Sequence, residues 1–78
     1  GPAIRSQLGV VPQADNLEIQ IQRAEERPDP SRLLHCRTQN AILHDSGQIS
    51  LQVFNLFRER LNAVQRRLEG SAVPAARP

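Results

Sequence analysis

Two histidines, one cysteine and ten basic side chains are the groups in this 78-residue chain whose chemistry could go beyond packing. His35 and Cys36 are adjacent, so a helix turns them by about 100° from each other and a strand sends them to opposite faces. Neither geometry aims an imidazole at the thiol, and Cys–His nucleophilic catalysis is not read from this spacing. His35 and His44 converge only if the chain between them is a hairpin, in which Asp45 would assist them. A single Cys excludes an intrachain disulfide, and no CxxC or Cys/His cluster points to zinc. No serine stands in a nucleophile elbow and no glycine-rich loop is built to cradle phosphate. The residues therefore predict a non-enzymatic chain with no catalytic, cofactor-binding or metal-binding side chain.

Every one of the ten basic residues is Arg, against eight acidic ones, for a net charge of +2. Arginine suits bidentate contact with carboxylate or phosphate. Arg23, Arg27, Arg32 and Arg37 line the middle of the chain, and Arg58, Arg60, Arg66 and Arg67 lie toward its end. On a helix Arg60 and Arg67 form a seven-residue row, with Arg66 beside its lower end. Such a row can meet phosphates, and this defines the alternative reading: a nucleic-acid-associated regulatory domain contacting phosphate through Arg60, Arg66 and Arg67. Glu59 and Glu69 dilute the row, no aromatic platform offers base stacking, and the net charge is small. The same dilution argues against strong attachment to anionic lipid.

What must position these groups is a small domain with an aliphatic core, since the chain has two Phe and no Trp, Tyr or Met. Chains this short bury proportionally little surface, so association is a natural source of extra burial. No apolar run approaches the ~18 residues that cross a membrane, and no membrane insertion is expected. The lone Cys36 suits a reducing, intracellular setting.

Gly1 and Pro2 resemble the scar of a removed tag, which sets the domain at residues 3–70. Ile4, Leu8 and Val11 form either a short helix or an extended arm, interrupted by Gly9 and Pro12. Leu17, Ile19 and Ile21 alternate with Glu18, Gln20 and Gln22, the period of a half-buried strand over Leu17–Arg23. Residues 31–44 admit two readings. Asp29 capping a helix with Pro30 in its first turn favours a helix, with Leu33, Leu34, Arg37, Ala41 and Ile42 on an irregular face. Cys36, Thr38 and Asn40 favour a hairpin instead, although Asn40 is not followed by Gly. After a break at Asp45–Gly47, Asp45 with Gln48 resembles a capping box and Ser50 offers a second cap. A helix should then run to Glu69 and stop at Gly70, leaving 71–78 as a flexible tail or linker.

On that last helix Phe54, Phe57, Leu61, Val64 and Leu68 recur at intervals of three and four. Its first half is apolar around much of its circumference, and its second half narrows to Leu61, Val64 and Leu68. The expected architecture is α+β: one or two short strands packed on a long C-terminal amphipathic helix. The expected function is a non-enzymatic protein-interaction or oligomerisation module of a larger protein. Phe57, Leu61, Val64 and Leu68 would carry the contact, with Arg60 and Arg67 tuning partner choice. The partner is another protein or a second copy of this chain, and the flanking arginines favour an acidic surface; nucleic acid is the less favoured partner.

Overall fold

A computed structural model describes residues 12–76, with side-chain placement for 13–70. Three helices account for it: α1 (Pro12–Glu26), α2 (Pro30–Asp45) and α3 (Leu51–Ala76). There is no strand among the described residues, and the α+β expectation is corrected to an all-helical domain. Three-residue and five-residue connections make successive helices antiparallel, so α1 and α3 run the same way and each helix packs against both others. The N-terminal arm with Ile4, Leu8 and Val11 lies outside the described residues.

The strand expected over Leu17–Arg23 lies within α1. Alternation would bury Leu17, Ile19 and Ile21 together. Instead Leu17, Ile21 and Ala24 are buried at helical spacing, while Ile19 is 45% exposed. The apparent period of two came from one outward-facing isoleucine. A helix also satisfies its own backbone, whereas a solitary strand would leave its peptide groups unpaired. Pro12 does not break α1 but opens it, at the one helical position where a missing N–H costs nothing.

In α2 the Asp29 carboxylate accepts from the Arg32 backbone N–H at 2.9 Å, and Pro30 follows the cap. The helix reading of 31–44 is thus the correct one, but its face is rotated from the expected one. Leu33, Cys36, Asn40 and Leu43 point inward, and Leu34 and Ile42 are 66% and 48% exposed. Two residues that count against a helix by propensity, Cys36 and Asn40, sit in its core face. Tertiary burial overrides such weak preferences.

The α2–α3 turn closes on Gly47, whose φ of +77° places it in the left-handed region. Its N–H donates to His44 O at 3.0 Å and the Gln48 N–H donates to Leu43 O at 2.8 Å, the paired bonds of a Schellman ending. The chain then drops Ile49 into the core. Asp45 and Gln48 form no capping box; Gln48 Nε2 donates to Ser46 Oγ instead. Ser50 is the cap, accepting from the Val53 N–H at 3.1 Å. Past Gly70 the helix continues to Ala76, so that glycine does not end it.

Candidate protein-interaction surface

The expected contact residues divide sharply by position. Phe57, Leu61 and Val64 are 8%, 0% and 1% exposed, packed inside the domain against Leu17 and Ile21 of α1 and Leu33, Cys36 and Leu43 of α2 as one core. Leu68 sits at the rim of that core, half-buried. The middle of the α3 seam is therefore the domain's own hydrophobic centre, with its end members Phe54 and Leu68 partly buried at the rim.

The arginine row is engaged within the domain. Arg60 donates from Nε and Nη2 to the two carboxylate oxygens of Glu25, at 2.9 and 2.7 Å, and from Nη1 to Glu18 at 3.4 Å. Arg67 Nη1 donates to the backbone oxygen of Glu25. Hydrogen bonding by Arg60 holds the Glu25 carboxyl below its usual range, against the opposing effect of burial, and the charges of Arg60 and Arg67 add to it. The same bonds raise the Arg60 pKa further. These two arginines join α3 to α1. Arg66, the third expected phosphate contact, is exposed.

The histidines and the thiol do not assemble a reactive centre. Cys36 is fully buried, and that burial pushes its thiol up, away from the reactive thiolate, with Arg32 only partly offsetting it. Nine positions separate His35 from His44 on α2, which places them about 180° apart around the helix and about 13 Å apart along it. No cluster of three or more His, Cys, Asp or Glu that could hold a metal occurs among the described residues. No helix among them is long and apolar enough to cross a membrane.

An apolar groove runs between α2 and α3. Near the start of α2 it forms a largely apolar bay of about 370 Å³, walled by Pro30, Leu33 and Leu34 on one side and Gln65, Leu68 and Glu69 on the other. Leu34 stands at its edge, 66% exposed. Further along lies a smaller bay of about 130 Å³ between Asn40, Ala41, Phe54 and Arg58. Arg37 borders both. Its guanidinium Nη2 donates to Asn62 Oδ1 at 3.0 Å and to Gln65 Oε1, so its acceptors are uncharged. Arg58 lies over the Phe54 ring, 5.8 Å from its centroid, in cation–π range. The His44 ring covers Phe54 at 4.8 Å.

Asn40 stands between these groups. Its Nδ2 donates to Phe54 O at 3.1 Å, while its Oδ1, buried in a residue 2% exposed, has no partner. Since Phe54 O can only accept, the amide cannot flip to relieve that oxygen. Sequence reasoning passed over Leu34 as one more face residue and over Asn40 as a breaker. The signal available for Leu34 was the Leu33–Leu34 pair, because two adjacent helical positions are about 100° apart and the second falls at the margin of the face centred on the first. Nothing in the sequence marks Asn40.

Comparison with known proteins finds no match: no family model fits the chain, and no curated protein or solved structure resembles it.

Proposed function

We propose that this chain is a non-enzymatic protein-interaction module, and that its contact surface is the α2–α3 groove where the C-terminal helix exposes the end of its apolar face. The observation that carries this reading is Leu34, 66% exposed beside half-buried Leu68 on an open apolar bay. An isolated exposed leucine needs no explanation, but one that walls a groove continuous with the core has further apolar area to bury. Phe57, Leu61 and Val64 act behind this surface, holding α3 in place, and Leu68 is the member of that seam available to a partner. Arg60 and Arg67 join α3 to α1 and do not line this groove, whose two walls are tied instead by Arg37 with Asn62 and Gln65. The open, two-helix shape suits a helix or strand of another chain better than an enclosed small molecule.

The test is a photo-crosslinking amino acid placed at position 34, with a control at exposed Gln22 on α1, in cells that naturally make the protein. The expected result is a discrete protein adduct from position 34 and none from position 22. Equal yields from both positions, or adducts to nucleic acid alone, would remove the reading.

A further inference from the structure

Two arginines on the α2–α3 groove carry no ion pair among the described residues, and between them lies a buried acceptor with nothing to accept from. Arg60 contrasts with this pair, since its charge is matched by Glu18 and Glu25. Arg37 is held by two neutral side-chain amides, and Arg58 by the face of Phe54. Among the described residues neither has a carboxylate within ion-pair distance, and both border a bay partly walled by the apolar groups of Ala41, Phe54 and Leu61. Glu69, which lines the first bay, accepts from Gln65 Nε2 at 3.2 Å. Low-dielectric walls strengthen the attraction such charges exert on an anion.

We infer that the groove receives an acidic amphipathic segment of another protein, with a carboxylate between Arg37 and Arg58 and an apolar side chain beside Leu34 and Leu68. The inference rests on the interaction reading above and names the chemistry of its partner. Charge complementarity selects the carboxylate, and the apolar bay selects the second anchor. Asn40 lies beneath this contact: its unpartnered Oδ1 is closed off from the surface, so its side-chain amide senses the docked segment without bonding to it. The two bays lie roughly seven residues apart along α2, about 10 Å. A helical segment spans that distance with its anchors at i and i+7, and an extended one with anchors at i and i+3.

The experiment is an NMR titration of the protein with two synthetic peptides, one helical with Leu and Glu at i and i+7, one extended with them at i and i+3. Controls replace the Glu by Lys or the Leu by Ser. At least one parent peptide should shift the Leu34 and Leu68 methyls, the Asn40 side-chain amide and the Nε–H signals of Arg37 and Arg58. Replacing its Glu by Lys should weaken binding by about tenfold or more. Arg58 is exposed, so R58E should keep the folded spectrum and lose the shifts. Indifference to the Glu-to-Lys change, shifts elsewhere on the surface, or no shifts at millimolar peptide would overturn the inference. So would a single-stranded oligonucleotide that moves the same signals more strongly than either peptide. If position 34 crosslinks a protein while both peptides leave the groove untouched, the interaction reading stands and the acidic occupant falls; failure of both removes both.

Discussion

Arg60 and Glu25 meet in a two-point bridge, with Nε and Nη2 of the guanidinium each donating to a different carboxylate oxygen. The bridge crosses from α3 to α1, which have no direct connection in the chain, and Glu18 adds a third oxygen to it. Removing it with E25Q should cost about 1 kcal/mol or less at neutral pH, because the Glu25 side chain is 36% exposed and solvent screens the pair. Urea denaturation measures this loss. The Glu25 pKa is lowered in the folded state, so its contribution is complete above the unfolded carboxylate value and disappears as pH falls through the folded value. The stability gap between wild type and E25Q should accordingly hold steady from neutral pH down to about 5 and then close on acidification. A gap that widens in acid would contradict the sign.

Leu61 and Leu34 share a residue type but not a role. Leu61 is fully buried and Leu34 is 66% exposed. L61A should destabilise by about 2–5 kcal/mol, through lost transfer energy and the cavity left behind. L34A should stay within about 0.5 kcal/mol of wild type while weakening partner capture. Equal costs in urea unfolding would show that the groove wall is part of the core.

Gly47 holds a φ of +77°, and a Cβ there would meet no atom within 4 Å. The penalty for G47A is therefore conformational alone, about 1–2 kcal/mol. G47N should lose less, because asparagine tolerates the left-handed region. Thermal or urea melts of the two variants test the order.

Asn40 is expected to cost the fold stability through its unpartnered oxygen. N40L removes the unpartnered oxygen and gives up one bond to Phe54 O. The first effect should outweigh the second, since a buried unsatisfied acceptor costs about 1–3 kcal/mol and a net hydrogen bond is worth about 1 kcal/mol. N40L should then be at least as stable as wild type in urea. Marked destabilisation would mean that the bond to Phe54 O outweighs the unpartnered oxygen.

A core closed within one chain should also make folding independent of association. Phe57, Leu61 and Val64 find their contacts inside the domain, so the melting temperature should not rise between dilute and concentrated samples. A concentration-dependent midpoint would reveal a second copy completing the fold.

The clearest sequence signal was the α3 face, and Phe57, Leu61 and Val64 do lie together as its spacing requires. The cap of α2 was equally legible, because Asp29 followed by Pro30 states its own geometry. Leu17–Arg23 misled because Leu17 and Ile21, four apart, satisfy both a period of two and a period of 3.6 over so short a run. The exposure of Ile19 and the burial of Ala24, a residue with little hydrophobic weight, separate them. The groove was least legible. Leu34 and Leu68 are thirty-four positions apart, and Arg37 reaches Asn62 and Gln65 across 25 and 28 positions. Such pairings depend on how α2 is rotated against α3, which no local pattern encodes.

That tie between Arg37 and its two amide partners bears on the kinetics of binding. A free arginine must surrender several rotamers to hold a ligand, at about 0.5–1.5 kcal/mol. Arg37 has already surrendered them within the fold, and to neutral partners that leave its charge in place. An incoming carboxylate meets a fixed cation, so encounter should be fast, steered by charge and slowed by added salt.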